Sequence, residues 1–117
     1  MQYLLLIYDS EKTLQAMSEA AGAQMSADYM TFTKEIHASG HFKAGDALQP
    51  IHTATTVRVR DGKPAITDGP FAETREQLGG YYLIDAKDLD EATAIAARIP
   101  SAKTGSIEIR PVMNFTI

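Results

Sequence analysis

TDGPFAETREQLGGYYLI, residues 67–84, is the stretch from which the rest of the chain can be read. Its opening residues prescribe a backbone. Asp68 can accept hydrogen bonds from the amides just ahead of it, Gly69 admits positive φ, and Pro70 fixes its own φ, so a tight, rigid loop is expected. Phe71 is a large apolar ring suited to anchoring that loop in a core. The run that follows carries Glu73, Arg75, Glu76 and Gln77, and the adjacent Gly79 and Gly80 predict a sharp turn into a strand over residues 81–85. The pattern is a carboxylate at the apex of a loop with a strand at its exit.

Working backward, residues 63–67 read as a strand that delivers the backbone to Asp68. Asp61-Gly62 is the strongest hairpin signal in the chain, joining that strand to residues 53–60, where Val57 and Val59 alternate with Arg58 and Arg60. A short strand over residues 42–48 precedes Pro50. Residues 3–8 are a continuous apolar run, which predicts a strand buried on both faces. Ser10 can cap a first helical segment with Leu14, Met17 and Ala21 on one face, interrupted by Gly22. The main first helix is expected to start at Ser26, with Met25, Tyr29, Phe32 and Ile36 in one stripe and Gly40 at its C-terminal cap.

Working forward, Asp88 and Glu91 have the spacing of a capping box. Leu89, Ala92, Ile95, Ala96 and Ile99 form the buried stripe of a second helix that Pro100 cannot continue. Residues 106–112 close the chain as a strand with Ile107 and Ile109 on one face. The order predicts an α+β fold: a ferredoxin-like βαββαβ frame with an inserted β-hairpin, in one domain spanning residues 1–117. Both helices of such a frame cover one face of the sheet. An apolar strand with two buried faces therefore asks for a second copy, and a homodimer of C2 symmetry is expected.

The same residues carry a resemblance. DGPFAETREQLGGYYLI is similar to the signature of the DGPF-domain branch of the YCII-related family, and MQYLLLIY, AGDALQP, TATTVRVRDGK and GSIEIRPVM are similar to that branch as well. The resemblance implies a ferredoxin-like domain that pairs into a dimeric α+β barrel. It also implies an association with extracytoplasmic-function sigma factors, by protein contact rather than DNA contact. Some YCII-related proteins resemble enzymes that use a His-Asp pair, with the histidine on the first helix. Counting back from Gly40, that position falls at Tyr29 here, so the pair does not carry over.

Composition sets outer limits. The 117 residues are enough for one domain with a sizeable core. Fifteen acidic against eleven basic residues give a net charge of -4, the wrong sign for neutralising phosphates, so no direct nucleic-acid partner is expected. Without cysteine there is no disulfide, thiolate metal site or cysteine nucleophile. The N-terminal apolar run, residues 4–7, is too short for a signal or membrane segment and lacks a basic leader, which predicts a soluble cytoplasmic protein with no membrane partner. Gly79 and Gly80 precede a strand rather than a helix, so no nucleotide cofactor is expected.

Asp68 is the leading catalytic candidate, because a carboxylate on a rigid loop beside an aromatic anchor can have its pKa raised and act as a general base. The competing reading is an Asx-turn whose carboxylate is occupied by backbone amides. Glu73, Arg75 and Gln77 are candidate ligand contacts or, equally, a solvated edge. Tyr29 can donate a hydrogen bond to a ligand or simply fill the core, while Tyr8, Phe71 and Tyr81 complete the substrate-binding candidates. Asp9, at the end of the first strand, and Asp46 are placed as neighbours of the same pocket. His37, His41 and His52 show no convincing metal-ligand spacing, and no metal site is expected. Three functions compete: an acid-base enzyme of lyase or hydrolase type, with Asp68 as the ionisable group and Arg75 or Tyr29 orienting an anionic or phenolic substrate; a regulatory module that contacts a sigma factor; and a dimeric scaffold with an unused cavity.

Overall fold

A two-residue alternation in QYLLLIYD decides the sheet. In the computed structural model, which describes residues 1–115, this segment is strand β1, Gln2–Asp9; Tyr3, Leu5, Ile7 and Asp9 are buried, whereas Leu4, Leu6 and Tyr8 are half-buried. The last two residues of the expected 1–117 domain lie outside the described residues. The expectation of burial on both faces is corrected for the single chain. Uniform apolar composition conceals the strand period of two, and the helices cover only one of the faces.

β1 sits between two antiparallel neighbours, β5 (Gln77–Asp85) and β6 (Ser106–Pro111), and β2 (Phe42–Ala47) pairs with the far edge of β5. The order β2-β5-β1-β6 is the ferredoxin-like arrangement. Between β2 and β5 the chain inserts a hairpin, β3 (Thr55–Arg60) and β4 (Lys63–Asp68), which forms a separate two-stranded sheet. Its turn follows from chemistry: Asp61 at φ 52° and Gly62 at φ 74° are the two left-handed residues of a type I′ turn.

Three α-helices form among the described residues. α1, Glu11–Gln15, is capped by Ser10, whose hydroxyl accepts from the Thr13 amide. α2, Glu19–Ala38, begins at Ser18 rather than Ser26. The Ser18 hydroxyl accepts from the Ala21 amide at 3.1 Å, and Gly22 continues the first turn by donating to the Ser18 carbonyl at 2.9 Å. A helical glycine costs about 1 kcal/mol, which a 20-residue helix tolerates. The end of α2 is as expected: Gly40, at φ 82°, donates to the His37 carbonyl and His41 donates to that of Ile36, closing a Schellman motif. α3, Leu89–Ala96, is capped by Asp88, which accepts from the Glu91 amide at 2.9 Å; Glu91 reaches back to the Lys87 amide instead of that of Asp88. Leu89 is exposed, so the buried stripe starts at Ala92 and continues through Ile95, Ala96 and Ile99. Leu5, Ile36, Ile84 and Ile99 form the driest part of the core, between sheet and helices.

Two further expectations are corrected. Gly79 and Gly80 do not turn the chain into β5 but lie within it. A Cβ on Gly80 would stand 2.9 Å from the Asp46 carbonyl oxygen, and one on Gly45 would stand 2.8 Å from the Tyr82 ring, so these glycines let β2 and β5 approach. Gly79 is the extra residue of a bulge opposite the Ile7/Tyr8 step. Phe71, expected as an anchor in the core, is 78% exposed. It follows a hairpin that stands away from the main sheet as an arm. The radius of gyration, 16.3 Å, exceeds the roughly 13 Å of a compact chain of this length.

Candidate functional site

The period of β1 that buries Tyr3, Leu5 and Ile7 carries one position further to Asp9, and there the apolar core opens into a cavity of about 530 Å³. Ile7, Leu14, Met25 and Phe42 give it apolar walls. Gly45, Gly79 and Gly80 remove side chains from the adjoining strands and so create part of its volume. Polar groups come from separate parts of the chain: Asp9 from β1, Tyr29 and Thr33 one turn apart on α2, Tyr82 from β5, and Ser101 from the turn after α3. An apolar cavity of this size with a few convergent polar groups has the form of a small-molecule site.

These groups hold one another in place. The Tyr29 and Ser101 hydroxyls are 2.5 Å apart, those of Thr33 and Tyr82 are 2.6 Å apart, and Thr33 also donates to the Tyr29 carbonyl at 2.8 Å. Burial pushes the Tyr29 phenol pKa up; hydrogen bonds to Ser101 oppose the rise, and the charges of Tyr82 and Asp9 add to it. Burial likewise raises Tyr82, against the bond to Thr33. Asp9, only 5% exposed, accepts from the Ser10 amide at 3.0 Å and from the Thr104 hydroxyl at 2.7 Å. Glu11 accepts from the Ile51 amide, and its own amide donates to Gln77, tying α1 to the start of β5. Tyr81 donates to Asp46 at 2.7 Å, and this hydrogen bond is the main reason its pKa is raised.

The structure brings Tyr29, Gln77 and Tyr81 into the cavity lining, together with Asp9 and Asp46. Asp68 lies elsewhere, exposed at the end of β4, and Phe71, Glu73 and Arg75 are exposed in the loop that follows. Tyr8 also stands outside the lining, on the opposite face of the sheet. It donates to Glu108 at 3.3 Å; burial first, and then the Glu108 charge and hydrogen bond, raise its pKa. Sequence reading missed Thr33, Tyr82 and Ser101. Thr33 was legible as the next turn of the Tyr29 face; Ser101 had no local signal. Among the described residues no cluster of three or more His, Cys, Asp or Glu is placed to hold a metal ion. His37 stacks on Phe42 with ring centres 3.9 Å apart, and His41 bonds to Ser39 and Glu91. No helix among the described residues is long and apolar enough to cross a membrane.

Sheet order and cavity together define a ferredoxin-like α+β protein with a pocket between its helices and its sheet. Residues 1–116 match the YCII-related domain, and the chain belongs to that family. It is 37% identical over 114 residues to an uncharacterized protein of Rhizobium meliloti (strain 1021), covering 96% of this chain and 92% of the relative. Among solved structures it resembles 5-chloro-2-hydroxyhydroquinone dehydrochlorinase from Burkholderia phenoliruptrix AC1100 in complex with 2,5-dihydroxybenzoquinone. The TM-score is 0.57 at 14% identity, over 98% of this chain and 96% of that one, a likeness of fold.

Proposed function

We propose that this protein binds a small, mostly apolar molecule in the cavity beneath α2 and performs acid-base chemistry on it, of lyase or hydrolase type. One observation carries the reading: a buried carboxylate, Asp9, and a phenol, Tyr29, share the lining of one apolar cavity of about 530 Å³. Asp9 is placed to accept a proton. Tyr29, which burial keeps protonated, is placed to donate one, and Ser101 fixes its hydroxyl. That a neighbour in fold is a dehydrochlorinase in complex with a small ring compound supports the lyase form of the reading.

The homodimer belongs to the same proposal. The uncovered face of the sheet presents the half-buried Leu4, Leu6 and Leu83, which a second copy would cover. In such a pair the hairpin of one copy is available to the other, and Asp68, Phe71, Glu73 and Arg75 are the side chains it would bring. Light scattering should give twice the 12.7 kDa chain mass. The DGPF signature, residues 68–84, supports a place in the DGPF-domain branch. A second reading is a regulatory module that contacts a sigma factor. The exposed Val57, Val59 and Ile66 of the hairpin favour it as a protein-binding surface.

A thermal-shift screen of small ring compounds separates the readings when run on the wild type, Tyr29→Phe and Asp68→Asn. Stabilisation of the wild type that weakens in Tyr29→Phe is expected. Loss in Asp68→Asn with full retention in Tyr29→Phe would move the site to the hairpin loop, and no stabilisation by any compound would leave the regulatory reading.

A further inference from the structure

The cavity lining has one sign of charge, and its consequence for ligand choice rests on the small-molecule reading above. Asp9, Glu11 and Asp46 border the cavity, and its described lining residues include no lysine, arginine or histidine. Arg75, expected to orient an anionic substrate, lies outside that lining.

The three carboxylates differ in what they already hold. Glu11 accepts from the Ile51 amide at 3.0 Å and Asp46 from the Tyr81 phenol at 2.7 Å, and both are partly or fully open to solvent. Asp9 is 5% exposed, and both of its donors, the Ser10 amide and the Thr104 hydroxyl, are neutral. None of the ion pairs among the described residues includes it. Each carboxylate oxygen accepts two hydrogen bonds, so among the described residues one direction on each oxygen of Asp9 stays free. Neutral donors offset only part of the cost of burying a carboxylate, and a cation in hydrogen-bond contact offsets more. An anion in the same cavity would meet like charge with no counter-ion, which selects against it.

We propose that the cavity takes a flat, apolar ligand carrying an ammonium group that pairs with Asp9, and that it rejects carboxylates and phosphates. The ring of such a ligand packs between Met25 and Leu14 on the helices and Ile7 and Phe42 on the sheet. The ammonium group supplies the charge-assisted hydrogen bonds that Asp9 lacks.

Three compounds built on one phenol ring test this: tyramine, 4-ethylphenol and 4-hydroxyphenylacetate, which at neutral pH are a cation, a neutral molecule and an anion. Calorimetric titration of the wild-type protein should rank them in that order, with at least about tenfold between first and last. Asp9→Asn should bring tyramine to within about threefold of 4-ethylphenol while the latter still binds. The wild-type ranking decides the matter even if that variant fails to fold. Equal affinities, or tighter binding of 4-hydroxyphenylacetate, would overturn the charge rule and leave the small-molecule reading intact. Binding of none of the three at millimolar concentration would remove both.

Discussion

The helix side of the main sheet and the β3–β4 hairpin are built from similar residues but to opposite ends. On the helix side Leu5, Ile36 and Ile84 are sealed, and the polar atoms that reach inward are bonded to one another. On the hairpin Val57, Val59 and Ile66 are 61%, 61% and 69% exposed, and among the described residues the pair of strands bonds to no other strand. The contrast separates motif from site. The most recognisable segment of the chain begins on the exposed arm, whereas the cavity is assembled from single residues spread between Ile7 and Ser101 that packing brings together.

The contrast can be tested from its strongest side first. Ile36→Ala should cost about 2–5 kcal/mol in chemical denaturation, because it empties a fully buried site between helix and sheet. A loss under about 1 kcal/mol would mean the helix side is less tightly packed than described.

Tyr82→Phe should cost about 1 kcal/mol by removing the hydrogen bond between the Tyr82 and Thr33 hydroxyls, while Thr33 keeps its bond to the Tyr29 carbonyl. It should also change the alkaline limb of the stability curve. The unfolded chain releases the phenolic proton near 10.0 while the folded protein holds it to higher pH. Stability is therefore full below about pH 10 and falls as the pH climbs toward the folded value, and the variant should show a shallower fall.

Val57→Ala and Ile66→Ala should each change the stability of the separate chain by no more than about 0.5 kcal/mol. A larger loss that varies with protein concentration would break the contrast by showing the arm packed against a second copy.

The smallest effect belongs to Glu91. The Lys87 amide, followed by His41, holds its carboxyl below the usual 4.5. A lowered folded pKa means stability that is present above the unfolded value and lost as pH falls through the folded one. Glu91→Gln should therefore flatten the acid limb below about pH 4.5, read as the midpoint of urea unfolding. An unchanged acid limb would show that Glu91 adds nothing measurable from its half-buried position.

Much of this architecture was legible in the chain. Asp61-Gly62 located the hairpin, Gly40 the end of α2, and Asp88 the start of α3, since each prescribes a local backbone that tertiary contacts did not override. The errors arose where a residue has two uses. Gly22 reads as a breaker but sits in the first turn of a helix long enough to tolerate it, and Gly79-Gly80 reads as a turn but lies within a strand, with Gly80 serving the close approach of its neighbour. Phe71 reads as an anchor because an exposed ring is costly, and its exposure here is settled by where the arm goes rather than by its own chemistry. Asp9 could be placed at the pocket from the end of its strand, and Tyr29 from its stripe. Thr33 could have been added as the next turn of that stripe, but Tyr82 and Ser101 could not, because their hydrogen-bond partners lie 49 and 72 residues away.

The bulge at Gly79 carries a last consequence. A methyl group at Gly45 or Gly80 would strike a neighbouring strand, but one at Gly79 would stand in open space on the lining of the cavity. An alanine can thus be added to the lining at that position without disturbing the strands on either side. A lineage wanting a narrower berth has an inexpensive place to begin, and an engineer has the same dial.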